Sequence, residues 1–512
     1  MLSGKVRPPV LSLRNDKIIM RHVAATALSA FFRDSSQRFD NVGRLFQDLS
    51  SPSGVADFKV FLAVRRRVLE DAIRAIVPPD MCQRVGLEDG DWIAKVSGDS
   101  SRFAEAELEV SGDYRNVQQV EVAAVQKADY DTAKWAKARA NTIAREDVLS
   151  FLSRKAVIPK YGFPVDVVEL DTQRAQQNQD AFQVLLQRDL SIAISEFAPT
   201  AKLVANKKVW TSYGLKRVAE REWDRWWYAR CPRHNRFERK PWGGEAQAPQ
   251  FEVCCAQMKP CKYVDPRFGF VTGRDKPQEP KARPPKLFTT RPYFAGFRQQ
   301  AAGQVPMGPV TLTTVSPGCM VVLCEGRRGS GFYVCGACGA GFRTRQKTHK
   351  DPYGQDCHGT FGEVSLGHEF VTDVLQVQFG RKMESNVEPV WFAYALAYAL
   401  VEGAASAEVL EVPSDDLNAT VAYGSEQSFI PPIILYDNVP GGAGLVARLQ
   451  DQETFHACLR AGRRRVAGNC GCGEDTSCYG CLRTYRNQFA HQHLRRGPVL
   501  RYLEAVLSQF SP

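Results

Sequence analysis

Four cysteines near the end of the chain, Cys470, Cys472, Cys478 and Cys481, fall in the pattern C-x-C-x5-C-x2-C within twelve residues. Zinc takes four sulfur or nitrogen ligands in a tetrahedron, and paired C-x(1–2)-C turns present two sulfurs to one ion. Disulfides are the competing chemistry, but cysteines one or two residues apart rarely reach disulfide geometry with each other. The set is complete without a water or a substrate, so it reads as a structural site that folds its own loop.

Two further constellations have ligand chemistry. Cys335-Gly336-Ala337-Cys338 is half of a zinc-ribbon knuckle, with Cys357 downstream and Thr360 where a second C-x-x-C would place cysteine. Its fourth ligand is His349 or His358; His349 is preferred, because the adjacent Cys357 and His358 would seldom both turn toward one ion. The competing reading is a pair of small buried thiols in a strand turn. Cys231-Pro232-Arg233-His234, with Cys254, Cys255 and Cys261 downstream, predicts a Cys3His site of Cys231, His234, Cys255 and Cys261. One of the two adjacent cysteines would be spare. Cys82, Cys319, Cys324 and Cys458 have no partners in register and read as buried thiols.

The missing motifs narrow the chemistry. The sequence has no G-x4-G-K-[ST] phosphate loop, no H-E-x-x-H and no G-x-S-x-G. The turn Pro440-Gly441-Gly442-Ala443-Gly444 could cradle an anion on its N–H groups or serve only as a tight strand-to-helix turn. No carboxylate cluster accompanies the metal ligands, which disfavours a metal-dependent nuclease.

The residues around the last cysteines are basic. From Arg460 to Arg496 there are eight arginines against Glu474 and Asp475, and a zinc with four thiolates would subtract two charges. Arginine favours forked contacts to phosphate oxygens, and tyrosines among arginines can stack on unpaired bases. The candidate nucleic-acid contacts are Arg463, Arg464, Arg465, Tyr479, Arg483, Tyr485, Arg486, Arg495 and Arg496. Such contacts would bind DNA without sequence preference. The net charge of +11 over 512 residues agrees with a polyanionic partner.

The elements that position these groups follow from periodicity. Helical spacing is read over Ile18–Phe32, Phe58–Ile76, Asp129–Leu152, Asp180–Phe197, Trp391–Gly403, Leu445 to about Arg465, and Val499–Phe510. Alternation predicts strands around Val157–Val168, after Val310, and over Phe370–Phe379, Ala407–Val412 and Ile430–Tyr436. Arg274–Pro292, with five prolines, reads as a linker. No apolar run is long enough to span a membrane and the N-terminus lacks a signal-peptide core. Fifteen cysteines without export read as reduced thiols and metal ligands in the cytoplasm. The fold class expected is α+β and multidomain, with mixed helices, short sheets and zinc-stabilised knuckles.

The tail Tyr436-Asp437-Asn438-Val439-Pro440-Gly441-Gly442-Ala443-Gly444-Leu445, then a long helix and C-x-C-x5-C-x-G-C-L-x3-R-N-Q, resembles the MrfA-type zinc-binding domain. That module stands at the C-terminus of many bacterial superfamily 2 helicases. The half-ribbon at Cys335, the stretch Leu366–Leu375 and Glu196-Phe197-Ala198-Pro199 look like the same helicase-associated region. The opening GKVRPPVLSLRNDKIIMRH looks like the stretch that follows the second ATPase lobe. The resemblance implies that Cys470, Cys472, Cys478 and Cys481 bind zinc in a module serving DNA-processing helicases in repair or anti-phage defence. This chain lacks the two ATPase lobes of those helicases, so the expectation is a stand-alone accessory, a split subunit or a fragment. It would not itself be an enzyme, and would act with a separate helicase ATPase and DNA, away from membranes. A non-catalytic adaptor docking on a helicase is the alternative. Residues 1–125 are expected as a helicase-derived α/β region and 126–225 as mainly helical. Residues 226–310 are expected as a Cys/His-containing basic region with the Pro-rich linker, and 311–512 as the MrfA-like domain.

Overall fold

A computed structural model describes the chain except residues 1–15, 100, 127, 129, 156, 160–166, 173–183, 185, 218–221, 243–246, 274, 298–302, 353, 384–386, 425–429, 440–441 and 511–512. It divides into two units, residues 12–167 with 217–222, and residues 168–216 with 223–512. The expected feature of the opening stretch, and most of the strand expected around Val157–Val168, lie outside the described residues.

In the first unit every regular element among the described residues of 16–155 is helical. The helices are α1 (Asp16–Asp34), α2 (Val42–Leu45), α3 (Gly54–Arg74), α4 (Cys82–Val85), α5 (Trp92–Ser97), α6 (Arg102–Gln126), α7 (Tyr130–Ala144) and α8 (Val148–Arg154). Apolar side chains at helical spacing meet in a core where Phe58 packs edge-on against Phe31 and Phe103, at ring separations of 5.3 and 5.2 Å. Trp92, fully buried, satisfies its indole N–H on Glu70 at 3.2 Å. The α/β region expected over 1–125 is therefore corrected to all-helical among the described residues. Its apolar periodicity is 3.6 throughout, and period 2 appears only later.

The second unit holds the strands: β1 (Val167–Asp171), β2 (Gln187–Asp189), β3 (Lys202–Ala205), β4 (Lys208–Leu215), β5 (Asp224–Arg230), β6 (Phe237–Pro241), β7 (Lys259–Asp265), β8 (Phe270–Thr272) and β9 (Arg291–Phe297). After them come β10 (Gln304–Met307), β11 (Val310–Cys324), β12 (Phe332–Cys335), β13 (Gly341–Phe342), β14 (His349–Lys350), β15 (Asp356–Cys357), β16 (Phe361–Phe379), β17 (Leu417–Val421) and β18 (Ile433–Asp437). Its helices are α9 (Leu190–Glu196), α10 (Pro389–Ala405), α11 (Gln452–Val466) and α12 (Arg496–Leu507).

Strands β2-β1-β8-β4-β3 form one sheet; a larger sheet runs β10-β11-β16-β7-β5-β6, with β9, β12, β13, β17 and β18 attached. The spine is the antiparallel β11–β16 pair, in register from Val310↔Phe379 to Cys324↔Leu366 with one bulge between Thr313 and Ser316. Helix α10 is apolar on every side and almost wholly buried, so it forms the core that α11, α12, β17 and β18 cover.

Several expected elements change. Within 126–225, helix gives way to strands β1–β4; Asn206 and Lys207 both take positive φ, the tight turn that joins β3 to β4. Of Asp180–Phe197, residues 180–183 and 185 lie outside the described residues and only Leu190–Glu196 is helical. The Asp189 side chain accepts from Ser191 N and fixes that start. Ala407–Val412 is a turn rather than a strand, with Glu411 at φ 55°. The long helix expected from Leu445 is broken at Asp451, which is extended and caps α11 by accepting from Thr454 N at 2.9 Å.

Candidate metal centres

Helix α11 delivers the chain to the first centre. It crosses α10 at Gly403 and Gly462: a Cβ on Gly403 would stand 2.5 Å from Cys458 O, and one on Gly462 would stand 2.8 Å from Ala399 O. Only glycine lets the two backbones approach this closely. Beyond Val466 the chain turns back on itself and brings Cys470, Cys472, Cys478 and Cys481 together, with all ligand atoms within 4.8 Å of one another. The Cys470–Cys472, Cys472–Cys481 and Cys478–Cys481 sulfurs are 3.4, 3.8 and 3.9 Å apart. A tetrahedron with zinc–sulfur bonds of about 2.3 Å has sulfur–sulfur edges of about 3.8 Å, so the donors already stand where the ion needs them. Backbone N–H groups of Cys478 and Gly480 point at the Cys481 and Cys478 sulfurs, at 3.2 and 3.3 Å. Burial raises the Cys481 thiol pKa, while the backbone N–H of Cys472 lowers that of Cys470. A central cation is what would let all four ionise together.

The second centre joins Cys335, Cys338, His349 and Cys357. Cys335 ends β12, Cys338 lies in the following turn, and His349 faces Cys357 across the β14–β15 pair. Cys338 Sγ is 3.3 Å from His349 Nε2, and the Cys335 and Cys357 sulfurs are 3.9 Å apart. The His349 ring is flanked by Phe361 at 4.5 Å. His358 stays outside the group.

The third centre corrects the sequence expectation. Cys231, His234, Cys254 and Cys255 converge, and Cys261 does not belong. His234 Nδ1 lies 3.5 Å from Cys231 Sγ and 3.4 Å from Cys254 Sγ, and Cys231 and Cys255 are 3.3 Å apart. The loop between β6 and β7 turns tightly at Cys254-Cys255, so both adjacent thiols face the β5–β6 hairpin. Cys261 lies on β7, paired with Tyr228, where the strand has already left the loop. The Cys254-Cys255 dipeptide was the available signal.

The basic residues around the first centre divide sharply. Arg463 pairs with Glu504 at 3.2 Å, Arg464 with Glu408, and Arg465 with Glu402 at 2.9 Å. Arg496 is only 8% exposed and donates to the carbonyls of Cys472 and Val466. Its expected phosphate contact is corrected to a clamp on the knuckle. Arg483 donates to Ser477 Oγ at 3.1 Å. Tyr479 is 62% exposed, edge-on to His491 at 5.5 Å, and Arg495 is exposed. Buried Asn487 organises the stretch holding Tyr485 and Arg486: it accepts from Thr484 N and donates to Leu482 O, each at 2.8 Å. Leu482 follows Cys481 into the core, so the metal loop sets the position of both side chains.

The glycine turn is no open anion cradle among its described residues. Buried Asp437 accepts from the N–H groups of Ala443, Leu445 and Val446 at 2.7, 3.0 and 2.9 Å. Gly444 N donates to Asp373 at 3.3 Å. The protein's own carboxylates take the place an outside anion would need. Burial pushes the Asp437 carboxyl up to about 6, against the pull of its three N–H donors.

Among the described residues, no helix is long and apolar enough to cross a membrane. Residues 396–482, which run from α10 to just past Cys481, match the family described as the MrfA Zn-binding domain. The chain is 23% identical over 583 residues to the Druantia protein DruE of Escherichia coli (strain UMEA 4076-1), covering 98% of this chain and 30% of that protein. It thus spans about a third of the length of the curated relative it matches. Two solved structures are similar over part of the chain. The DUF1998 helicase MrfA bound to DNA has 12% identity and a TM-score of 0.33, covering 73% of this chain and 35% of that one. The same helicase bound to DNA and AMPPNP has 11% identity and a TM-score of 0.25, covering 68% and 33%. The tetrads fit zinc by geometry and donor type, and the segment that carries the C-terminal one, residues 396–482, is a match to the MrfA Zn-binding domain family.

Proposed function

We propose that the chain is a zinc-organised, helicase-associated region that binds nucleic acid without sequence preference and works with a superfamily 2 ATPase in phage defence or DNA repair. The observation that carries this reading is the coincidence of the matched domain with a complete four-sulfur knuckle. That knuckle holds Tyr479, Tyr485, Arg486 and Arg495 at or near its surface. The similarity to DruE supports the defence setting. In this mechanism zinc supplies folding energy and no chemistry at a substrate. The chain's own residues do the rest: Asn487 and Arg496 fix the loop, arginines contact phosphates, and exposed tyrosines stack on unpaired bases.

The test is binding of a labelled DNA strand by the purified chain across a range of salt. The expected result is binding that weakens linearly in log salt and is indifferent to sequence. Absence of binding at low salt would sink the reading. The pairing of Arg463, Arg464 and Arg465 with the chain's own carboxylates favours a second reading, a protein–protein adaptor in which the zinc centres only stabilise. That reading expects capture of the ATPase subunit without any DNA affinity of its own.

A further inference from the structure

Beside the C-terminal knuckle, an open cleft lies among α9, the extended segment leading into β9, and the ends of β17 and β18. Lys286 and Arg486 line it together with the hydroxyls of Ser191, Thr289 and Thr290 and the amide of Asn418. No carboxylate is among its lining residues. Glu196 acts electrostatically on Lys286, and Asp416 on Arg486, from outside the lining of the cleft.

The two cations are held at this cleft. The Lys286 ammonium sits 3.9 Å from the centroid of the Tyr485 ring. That ring is tethered in turn, because the Tyr485 hydroxyl donates to Glu196, which Arg188 holds at 3.0 Å. Arg486 follows directly on Tyr485 and precedes the buried Asn487 bracket. Helix α9 does not supply the charge: it is a seven-residue helix whose first N–H groups are capped by Asp189. Two cations and two threonine hydroxyls lining one cleft make a site for an anion with several oxygens. Hydroxyls and arginine forks match the non-bridging oxygens of a phosphate.

We propose that this cleft binds a phosphate group, with Lys286 and Arg486 as charge contacts and Thr289 and Thr290 as hydroxyl donors. For the source of the phosphate the proposal rests on the nucleic-acid reading above: the backbone of a single strand. Free nucleotide phosphates share the chemistry, and the test separates the two.

The experiment is anisotropy of a labelled oligothymidine strand with the full chain, with inorganic tripolyphosphate as competitor. A parallel titration uses a labelled nucleoside triphosphate. The variants are Lys286→Gln, Arg486→Gln and the near-isosteric Thr289→Val, with zinc content and melting temperature recorded for each. The expected result is about a tenfold loss of strand affinity for either cation variant, a salt slope smaller by about 0.7, and displacement by tripolyphosphate. Thr289→Val, which keeps the fold, should weaken binding with an unchanged slope. If the wild-type chain binds the strand and all three variants match it in affinity and slope, the cleft assignment falls and the nucleic-acid reading stands. If the chain ignores the strand but binds the triphosphate through Lys286, the cleft stands with a free nucleotide as its ligand and the nucleic-acid reading falls. Binding of neither overturns both.

Discussion

Replacing Cys478 with serine removes one sulfur from a four-sulfur set whose members stand 3.4 to 3.9 Å apart along the measured edges. The consequence follows from what else holds this part of the chain. Between Val466, the end of α11, and Arg496, the start of α12, regular structure is limited to a short 3-10 turn at Gln488–Ala490. Fixing a residue's backbone costs about 1–2 kcal/mol, so a loop of this length cannot be held by its few backbone hydrogen bonds. Structural zinc contributes about 10–16 kcal/mol in isolated peptides, a substantial part of what ordering the loop requires. Whole domains are stable by only about 5–15 kcal/mol. Cys481 and Leu482 are part of the same core as α10, and Cys470, Cys472 and Cys478 pack against it, so loss of the ion opens the core's edge. The expected outcome for Cys478→Ser is a fall from three zinc ions per chain to two. Metal analysis after gel filtration would show it, with early proteolysis between Val466 and Arg496 and a lower melting temperature. An unchanged zinc count with unchanged melting would refute the assignment of this centre.

Cys254→Ser should likewise reduce the count to two, whereas Cys261→Ser should leave three; the reverse pattern would restore the ligand set expected from sequence. Gly403→Ala would drive a methyl group to 2.5 Å from Cys458 O, and overpacking of this kind costs about 1–3 kcal/mol; a wild-type urea midpoint would show that α10 and α11 yield without strain. Asp437 bears on pH dependence. Its folded pKa of about 6 lies above the unfolded value, so its contribution is fully present below the unfolded pKa and is lost as pH rises through about 6. The loss is about 3 kcal/mol. Between about pH 4 and 7, the span from the unfolded to the folded pKa, wild type should lose stability relative to Asp437→Asn in urea unfolding, and parallel curves would contradict the burial argument. Comparing the two proteins at each pH cancels the effect of proton competition at the metal ligands.

Much of the candidate metal chemistry was legible because the code is local. C-x-C-x5-C-x2-C and C-x-x-C are turn-scale patterns, and a turn brings residues one to three apart onto one ion whatever the rest of the chain does. His349 could be preferred over His358 for the same reason. Helices α1, α3 and α10 were readable from apolar spacing, since burial of one face, or of every face for α10, leaves its period in the sequence. The ends of elements were less readable. Asp451 caps one helix and Asp189 another, and each shortened a helix whose apolar pattern continued past it.

The arginines show the limit most clearly. Sequence counts them as one basic cluster, but Glu402, Glu408 and Glu504 come from distant segments to pair with Arg465, Arg464 and Arg463. The same holds for the glycine turn, whose N–H groups are met by Asp437 and by Asp373 from β16. By itself the sequence determined the zinc chemistry and the α+β character, because metal turns and hydrophobic periods are properties of neighbouring residues. Only the tertiary structure decided that Cys254 and not Cys261 completes a centre. It alone decided that Arg496 is a clamp and that Lys286 and Arg486 line one cleft. Each of those depends on long-range packing, which sets the partners a charge or a thiol finds and leaves no period in the chain.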